Sequence, residues 1–253
     1  MNKIYYWIIS LFLLFLVIVF ISGCVPFMEN SGMIDFPNEE RLIKSADVSA
    51  NKYAVIVGIS HSKGGSNYKV NGDNTARLLV SILKNAGWKM KNIKLLTNRQ
   101  ATNQAISDAI AWLKSIENEN STIVIMFACH GNATGVKLWD LVLSHKRIKN
   151  DLLNLKSKKQ LVIIATCHSG GAVYEGSDGI SLAQINRIVI SSCAEETVDP
   201  CTHHYTRWAE AFLLRGIKES KADANKDGKV SIQEAFEYAG SRMSDLYGQE
   251  FYF

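Results

Sequence analysis

Five short runs rich in β-branched residues constrain the fold of this chain more than any other feature: residues 53–59, 93–97, 122–128, 160–166 and 187–192. They are almost continuously apolar instead of alternating, as strands covered on both faces must be. Helical periodicity fills the gaps. Residues 72–85 place Ala76, Leu79, Ile82 and Leu83 on one stripe, residues 102–116 do the same with Ile106, Ile110 and Leu113, and a shorter stretch after Ser144 carries Ile148, Leu152 and Leu153. Strand and helix alternating in this order predict right-handed crossovers and an α/β architecture, with a mostly parallel central sheet and helices on both faces. A chain of 253 residues that is 47% hydrophobic can bury one substantial core, so residues 52–253 are read as one domain.

The start of the chain is a different kind of sequence. After Met1, Asn2 and Lys3 comes an apolar run from Ile4 to Ile21 without a charge, read as a signal peptide or membrane anchor over residues 1–23. The run ends in Ile21-Ser22-Gly23-Cys24, which resembles the lipobox of bacterial-type lipoproteins and makes Cys24 the lipidation site. An uncleaved helix is the alternative, because the run approaches the ~20 residues that span a bilayer. Either way the domain is expected outside the cytoplasm, attached to the membrane. Residues 24–51, with Pro26, Pro37 and no period, read as a linker. Lys and Arg number 28 against 24 Asp and Glu, and no dense basic run with interleaved aromatics is present, so no nucleic-acid partner is implied.

Ligands of open α/β sheets bind outside the carboxyl ends of the strands. Two reactive residues follow such ends: His130 in Phe127-Ala128-Cys129-His130-Gly131, and Cys167 in Ala165-Thr166-Cys167-His168-Ser169-Gly170-Gly171. If their strands are parallel neighbours, roughly 4.8 Å apart, both side chains emerge on one edge. A free thiol has a pKa near ~8.5, so an adjacent imidazole is what a nucleophilic cysteine needs. The Gly131 and Cys167 amides are candidate oxyanion donors. Ser169-Gly170-Gly171 is expected to turn the backbone away from the site. Other chemistries lack their residues: a Cys-x5-Arg phosphatase loop would need Arg where Val173 stands, and a G-x-S-x-G elbow would need Gly at Cys167. The remaining Cys and His residues lack paired C-x-x-C zinc spacing. Cys129 reads as filler under the His130 loop, and Cys193 and Cys201 are either disulfide-bonded or reduced.

The apolar strand before His130-Gly131, the second before Ala165-Thr166-Cys167, and the following His168-Ser169-Gly170 together resemble the caspase-fold (clan CD) cysteine peptidases, which include caspases, metacaspases and legumains. Asn71-Gly72-Asp73-Asn74 is similar to that family's early polar loop. The resemblance implies an α/β/α caspase-like sandwich, a His130/Cys167 catalytic dyad and a protein or peptide substrate. The Cys-His-Ser-Gly-Gly run is metacaspase-like, whereas Ile190-Ser191-Ser192-Cys193-Ala194 is more similar to the legumain specificity loop. Ala165, Ser192 and Glu195 are the substrate-pocket candidates, and Glu196 and Asp199 belong to the same acidic loop. Ala165 stands where metacaspases usually carry an acid that helps select Arg or Lys. The 37-residue spacing from His130 to Cys167, and the missing Gln, depart from the caspase signature.

Residues 223–234, DANKDGKVSIQE, match the calcium-loop pattern D-x-[DN]-x-[DN]-G-x5-E at every specified place. Asp223, Asn225, Asp227, the Lys229 carbonyl and Glu234 are the candidate Ca²⁺ ligands, with Gly228 at the sharp turn. The metal-free alternative is a polar turn whose acids cap the next helix. Helical patterns flank it at 205–217 and 232–243. The sequence thus points to a membrane-anchored extracytoplasmic cysteine endopeptidase with structural calcium. A transpeptidase or transamidase of the same fold, and a catalytically inactive calcium-clipped surface binding protein, are the alternatives.

Overall fold

A computed structural model describes residues 51–63, 70–173 and 177–247, all within the compact unit Asn38–Phe253. The expected leader at 1–23, Cys24 and the expected linker up to residue 50 lie outside the described residues. Among the described residues no helix is long and apolar enough to cross a membrane.

Five strands, β1 (Lys52–Gly58), β2 (Ile93–Thr97), β3 (Thr122–Ala128), β7 (Lys159–Ala165) and β8 (Arg187–Ser191), form one parallel sheet in the order β2-β1-β3-β7-β8. All five expected strands are present, with ends shifted by no more than one residue. Every residue of β1 and β3 is buried, which accounts for their lack of alternation. On one face Val55, Val57, Ile125, Phe127, Val162 and Ile164 share a core with Ile106, Ile110 and Leu113 of helix α2 (Asn103–Ile116). The opposite face packs on α1 (Gly72–Asn85); α1 in turn packs on a π-helix (Glu210–Lys218) that continues a short turn α4 (Arg207–Ala209), and the π-helix packs on α5 (Ile232–Tyr247). The result is the expected α/β/α layering.

Local signals explain the helix ends. Thr102 caps α2, its Oγ1 accepting from the Ala105 N–H at 3.2 Å, so the helix proper begins at Asn103. Ser144 does the same for α3 (His145–Asp151) through the Arg147 N–H. Gly72 opens α1 against the carboxyl ends of β1 and β3, where a Cβ would collide with the carbonyl oxygens of Ala128 and Ile59. The early polar loop is therefore mostly helix: only Asn71 precedes α1, and Asp73 lies in its first turn.

Two elements depart from the sequence reading. Between His130 and α3 the chain folds into a small antiparallel sheet, β4 (Gly131–Asn132), β5 (Gly135–Lys137) and β6 (Val142–Ser144). Strands this short carry no legible period. The expected helix at 205–217 starts at Arg207 and winds as a π-helix through Glu210–Lys218, with Trp208 and Phe212 stacked at 4.7 Å beneath it.

Candidate active site

β3 and β7 run with Ala128 opposite Ala165, and the Cys129 N–H extends the ladder to the Ala165 carbonyl at 3.3 Å. His130 and Cys167 each lie two residues past that pair. The parallel register therefore delivers both at adjacent points on the carboxyl edge. The two loops stay in contact: a Cβ on Gly131 would overlap the Thr166 side chain and lie 3.0 Å from the Cys167 carbonyl oxygen. Only glycine fits there. Gly131 faces Val136 across β4 and β5, and the adjoining bond runs from the Lys137 N–H to the His130 carbonyl at 2.8 Å. Gly131 is thus in a non-hydrogen-bonded pair, and its own N–H points away from β5.

Cys167 is half-buried and unpaired. Burial pushes its thiol pKa up, the Asp199 carboxylate and the sulfurs of Cys193 and Cys201 add to the shift, and a hydrogen bond from the Asp199 backbone N–H opposes it. At rest Cys167 is thus a thiol held away from ionisation, and any attack by it on a carbonyl would require a base.

The turn after Cys167 is made differently from expectation. His168, not a glycine, adopts the left-handed conformation, with φ of 59°. Its N–H donates to the Thr197 carbonyl at 2.8 Å, and its Nδ1 lies 2.7 Å from the Glu195 carbonyl. The two glycines instead permit close packing. A Cβ on Gly170 would meet the Glu195 N–H and the Ala194 backbone, and one on Gly171 would strike the Ala133 carbonyl. Ser169 is fully buried, and its Oγ accepts from the N–H groups of Ser192 at 3.0 Å and Cys193 at 3.2 Å. It pins the Cys167 loop to the loop after β8, a role that one serine in a glycine-rich run does not announce.

Asp199 is the residue whose importance the sequence understates. Its side chain is buried, its Oδ1 accepts from the Trp208 N–H at 3.4 Å, and its Oδ2 has no hydrogen-bond partner among the described residues. Burial raises its pKa to about 7, against the opposing pull of the Ser192 and Thr206 hydroxyls, the Trp208 N–H and the Arg207 charge. Its loop neighbours behave differently: Glu196 is exposed, and the Glu195 carboxylate accepts from the Ser177 N–H at 2.9 Å. Ala165 and Ser192 are fully buried in the floor beneath Cys167, the Ser192 hydroxyl donating to the Thr166 carbonyl at 3.2 Å. Asp73, in the early polar loop, accepts from the Ser60 hydroxyl, from Asn98 Nδ2 and from the Asn74 N–H. Burial works against its charge, yet these donors hold it below the usual carboxylate range.

Cys129 is buried under the His130 loop, its thiol pushed up to about 12 by burial. Cys193 and Cys201 are not joined in a disulfide. Cys193 Sγ lies against the Thr166 and Thr197 carbonyls, and Cys201 Sγ accepts from the Asn71 N–H at 3.4 Å.

The 223–234 loop lies between the π-helix and α5. Asp223 accepts from the N–H groups of Asp227 and Gly228, Asn225 from Asp227, and Asp227 from Lys229. Glu234 takes the Ser231 N–H and hydroxyl, both at 2.9 Å, as a capping box at the start of α5. Gly228 makes the sharp turn with φ of 81°, and Lys226 is left-handed beside it. The donors are hard oxygens of the kind calcium takes. Among the described residues, however, no three His, Cys, Asp or Glu side chains converge as metal ligands, and here the carboxylates are engaged with backbone amides.

No functionally curated protein matches this sequence. A crystal structure of a protein from Geobacter sulfurreducens is similar in fold, with a TM-score of 0.61 at 14% identity, covering 80% of this chain and 92% of that one. At that identity the likeness speaks for the fold alone. The family model described as the caspase domain matches residues 51–244, a span that contains the parallel sheet, both strand-end residues and the π-helix. With most of the chain inside that match, and the strand order carrying a histidine and a cysteine to one edge, this protein belongs to the caspase-domain family of cysteine peptidases.

Proposed function

We propose that this protein is a membrane-anchored, extracytoplasmic cysteine endopeptidase with Cys167 as nucleophile and His130 as its acid–base partner. The observation that carries the reading is the Ala128–Ala165 register, which sets His130 and Cys167 at matching positions beyond neighbouring parallel strands. Because burial keeps the Cys167 thiol protonated, His130 takes the thiol proton as Sγ bonds to the peptide carbonyl carbon. The oxyanion is held by the amides of Gly131 and Cys167. His130 returns the proton to the departing amine. It then deprotonates a water molecule, whose oxygen displaces Sγ from the thioester. Ala165, Ser192 and Glu195 shape the pocket for the residue before the cut.

The anchor follows from the Ile4–Ile21 run and Cys24. A diacylated Cys24 holds the chain stably at the membrane, whereas one acyl chain would not. Incorporation of a clickable palmitate that is lost in Cys24→Ser supports this, and undiminished incorporation refutes it. Calcium at Asp223, Asn225, Asp227, the Lys229 carbonyl and Glu234 would supply a structural clip between the π-helix and α5. It should raise the melting midpoint of the wild type relative to EDTA and leave Glu234→Gln unmoved.

The experiment for the catalytic reading is labelling of the full chain with peptide acyloxymethyl ketones bearing Asn, Asp, Arg or Lys at the reactive end. Labelling by one probe that vanishes in Cys167→Ala supports the nucleophile and identifies the preferred residue. A folded protein unlabelled by every probe, with and without calcium, refutes it.

A further inference from the structure

A cavity of about 300 Å³ opens between the π-helix, α5 and the segment that follows Pro200. Its wall carries four cationic side chains, Arg207, Arg215, Lys221 and Arg242, together with Thr202 and Tyr238. Among the described residues the acids near these cations are Glu210 in the wall, Glu219 beside it and Asp199, whose carboxyl feels the Arg207 charge, so the four cations outnumber them. The Arg215 pairs with Glu210 at 3.4 Å and Glu219 at 3.8 Å, and the Lys221 pair with Glu219 at 3.0 Å, are exposed. Pairs of that kind contribute little and rearrange readily. Arg242 lies over the Tyr238 ring at 5.5 Å, which holds its guanidinium at the cavity rim.

The π-helix contributes to this arrangement. Its wider turn brings residues five apart onto one line, and Glu210 and Arg215 are such a pair. The volume lies at the small end of the range for small-molecule sites. One carboxylate accepts one bidentate guanidinium, so four cations around one cavity suit an anion with several charged groups. We propose that this cavity is a binding site for a compact polyanion, a phosphate-bearing small molecule held by Arg207, Arg215, Lys221 and Arg242 with the Thr202 hydroxyl.

The site also touches the machinery around the cysteine. Thr202 is anchored by Asn71, whose Nδ2 donates to its carbonyl at 3.0 Å, and the Arg207 N–H donates to the Pro200 carbonyl at 2.8 Å. Asp199, next in the chain, bonds the Cys167 sulfur through its N–H. Occupancy therefore stiffens the segment that supports Cys167. This coupling rests on the peptidase reading; the binding itself does not.

The test uses the full chain in non-ionic detergent with EDTA present, so that chelation of calcium plays no part. Tripolyphosphate is the probe, and binding is read by calorimetry at matched ionic strength in the wild type, Cys167→Ala and the double variant Arg215→Ala/Arg242→Ala. Both altered arginines are exposed, so the fold should tolerate their loss. We expect one site, retained in Cys167→Ala and weakened at least tenfold in the double variant, with sulfate binding far more weakly than tripolyphosphate. Equal affinity in the double variant overturns the site. Equal competition by a peptide bearing a single Glu overturns the polyanion assignment in favour of a substrate side-chain subsite. A failure of the peptidase reading appears separately, as loss of probe labelling with binding intact.

Discussion

The backbone N–H of Asp199 hydrogen-bonds the sulfur of Cys167, while the carboxylate of the same residue opposes ionisation of that thiol. One residue thus acts on the nucleophile in two directions. Which one dominates depends on whether the carboxyl is charged, and its pKa is raised to about 7.

Asp199→Asn removes the charge and keeps the backbone N–H. Above pH 7 the Cys167 thiol should ionise more readily in the variant, so its alkylation by iodoacetamide should be about two- to tenfold faster at pH 8. Below pH 6 the wild-type carboxyl is already neutral, and the two rates should converge. Profiles that stay parallel from pH 5 to 9 would contradict this coupling.

Stability should carry the same signature. Asp199 has a folded pKa above its unfolded value near 3.8, so its contribution is fully present below that value and is lost as pH rises through about 7. His145 is the opposite case. It is fully buried, neither ring nitrogen has a hydrogen-bond partner among the described residues, and burial lowers its pKa against the pull of Glu195 and of Asp178, 3.8 Å from Nδ1, so its contribution is present above its usual 6.5 and lost as pH falls through the folded value. The Asp199→Asn melting midpoint should gain on the wild type between pH 4 and pH 8. His145→Phe should lose less than the wild type on acidification below pH 6.5. Differences that do not change with pH would exclude both assignments.

Gly171→Ala tests the contact between the loop after Cys167 and the loop after His130. A Cβ there meets the Ala133 carbonyl, which is backbone and cannot swing aside. Overpacking of this kind costs about 1–3 kcal/mol, and for a domain of this size the melting midpoint should fall by about 3–10 °C. A variant as stable as the wild type would mean that the loops sit further apart.

Arg187 is buried without a carboxylate partner among the described residues, and burial lowers its pKa to about 10. Its guanidinium donates to Gln160 Oε1 at 2.9 Å and to the carbonyls of Leu152 at 2.8 Å and Leu182 at 3.3 Å. Arg187→Met leaves these acceptors unpaired, with an expected loss of about 2–4 kcal/mol in urea denaturation. Arg187→Lys, which keeps a charged donor for one of them, should recover part of it. No recovery would assign the loss to packing.

The sheet was legible because strands buried on both faces must be apolar throughout, and 122–128 and 160–166 satisfy that without ambiguity. The placement of His130 and Cys167 each two residues past neighbouring parallel strands followed from the same runs, since both residues stand at strand ends. Less legible was everything that depends on close approach between distant segments. Gly170 and Gly171 read as a turn because glycine commonly supplies one, yet their neighbours Ala194 and Ala133 are contacts that only folding reveals. The left-handed residue fell on His168, although two glycines, the usual residues for that conformation, follow at 170 and 171. Asp199 looked like one acid among three in a polar loop, and its burial depends on Trp208 and Thr206, which approach only after the chain reverses. The π-helix was hidden because the apolar stripe of 205–217 suits an ordinary helix as well.

The proposed dyad makes His130 the base for Cys167. The most direct measurement is the second-order rate of Cys167 alkylation at pH 7 in the wild type and in His130→Ala, followed by mass spectrometry of the Cys167 peptide in the folded protein. With the thiol pKa raised by burial, ionisation at neutral pH depends on the imidazole, so the rate should fall at least tenfold in His130→Ala while Cys201 reacts as before. Equal Cys167 rates in the two proteins would show that His130 does not act on the thiol and would contradict the dyad.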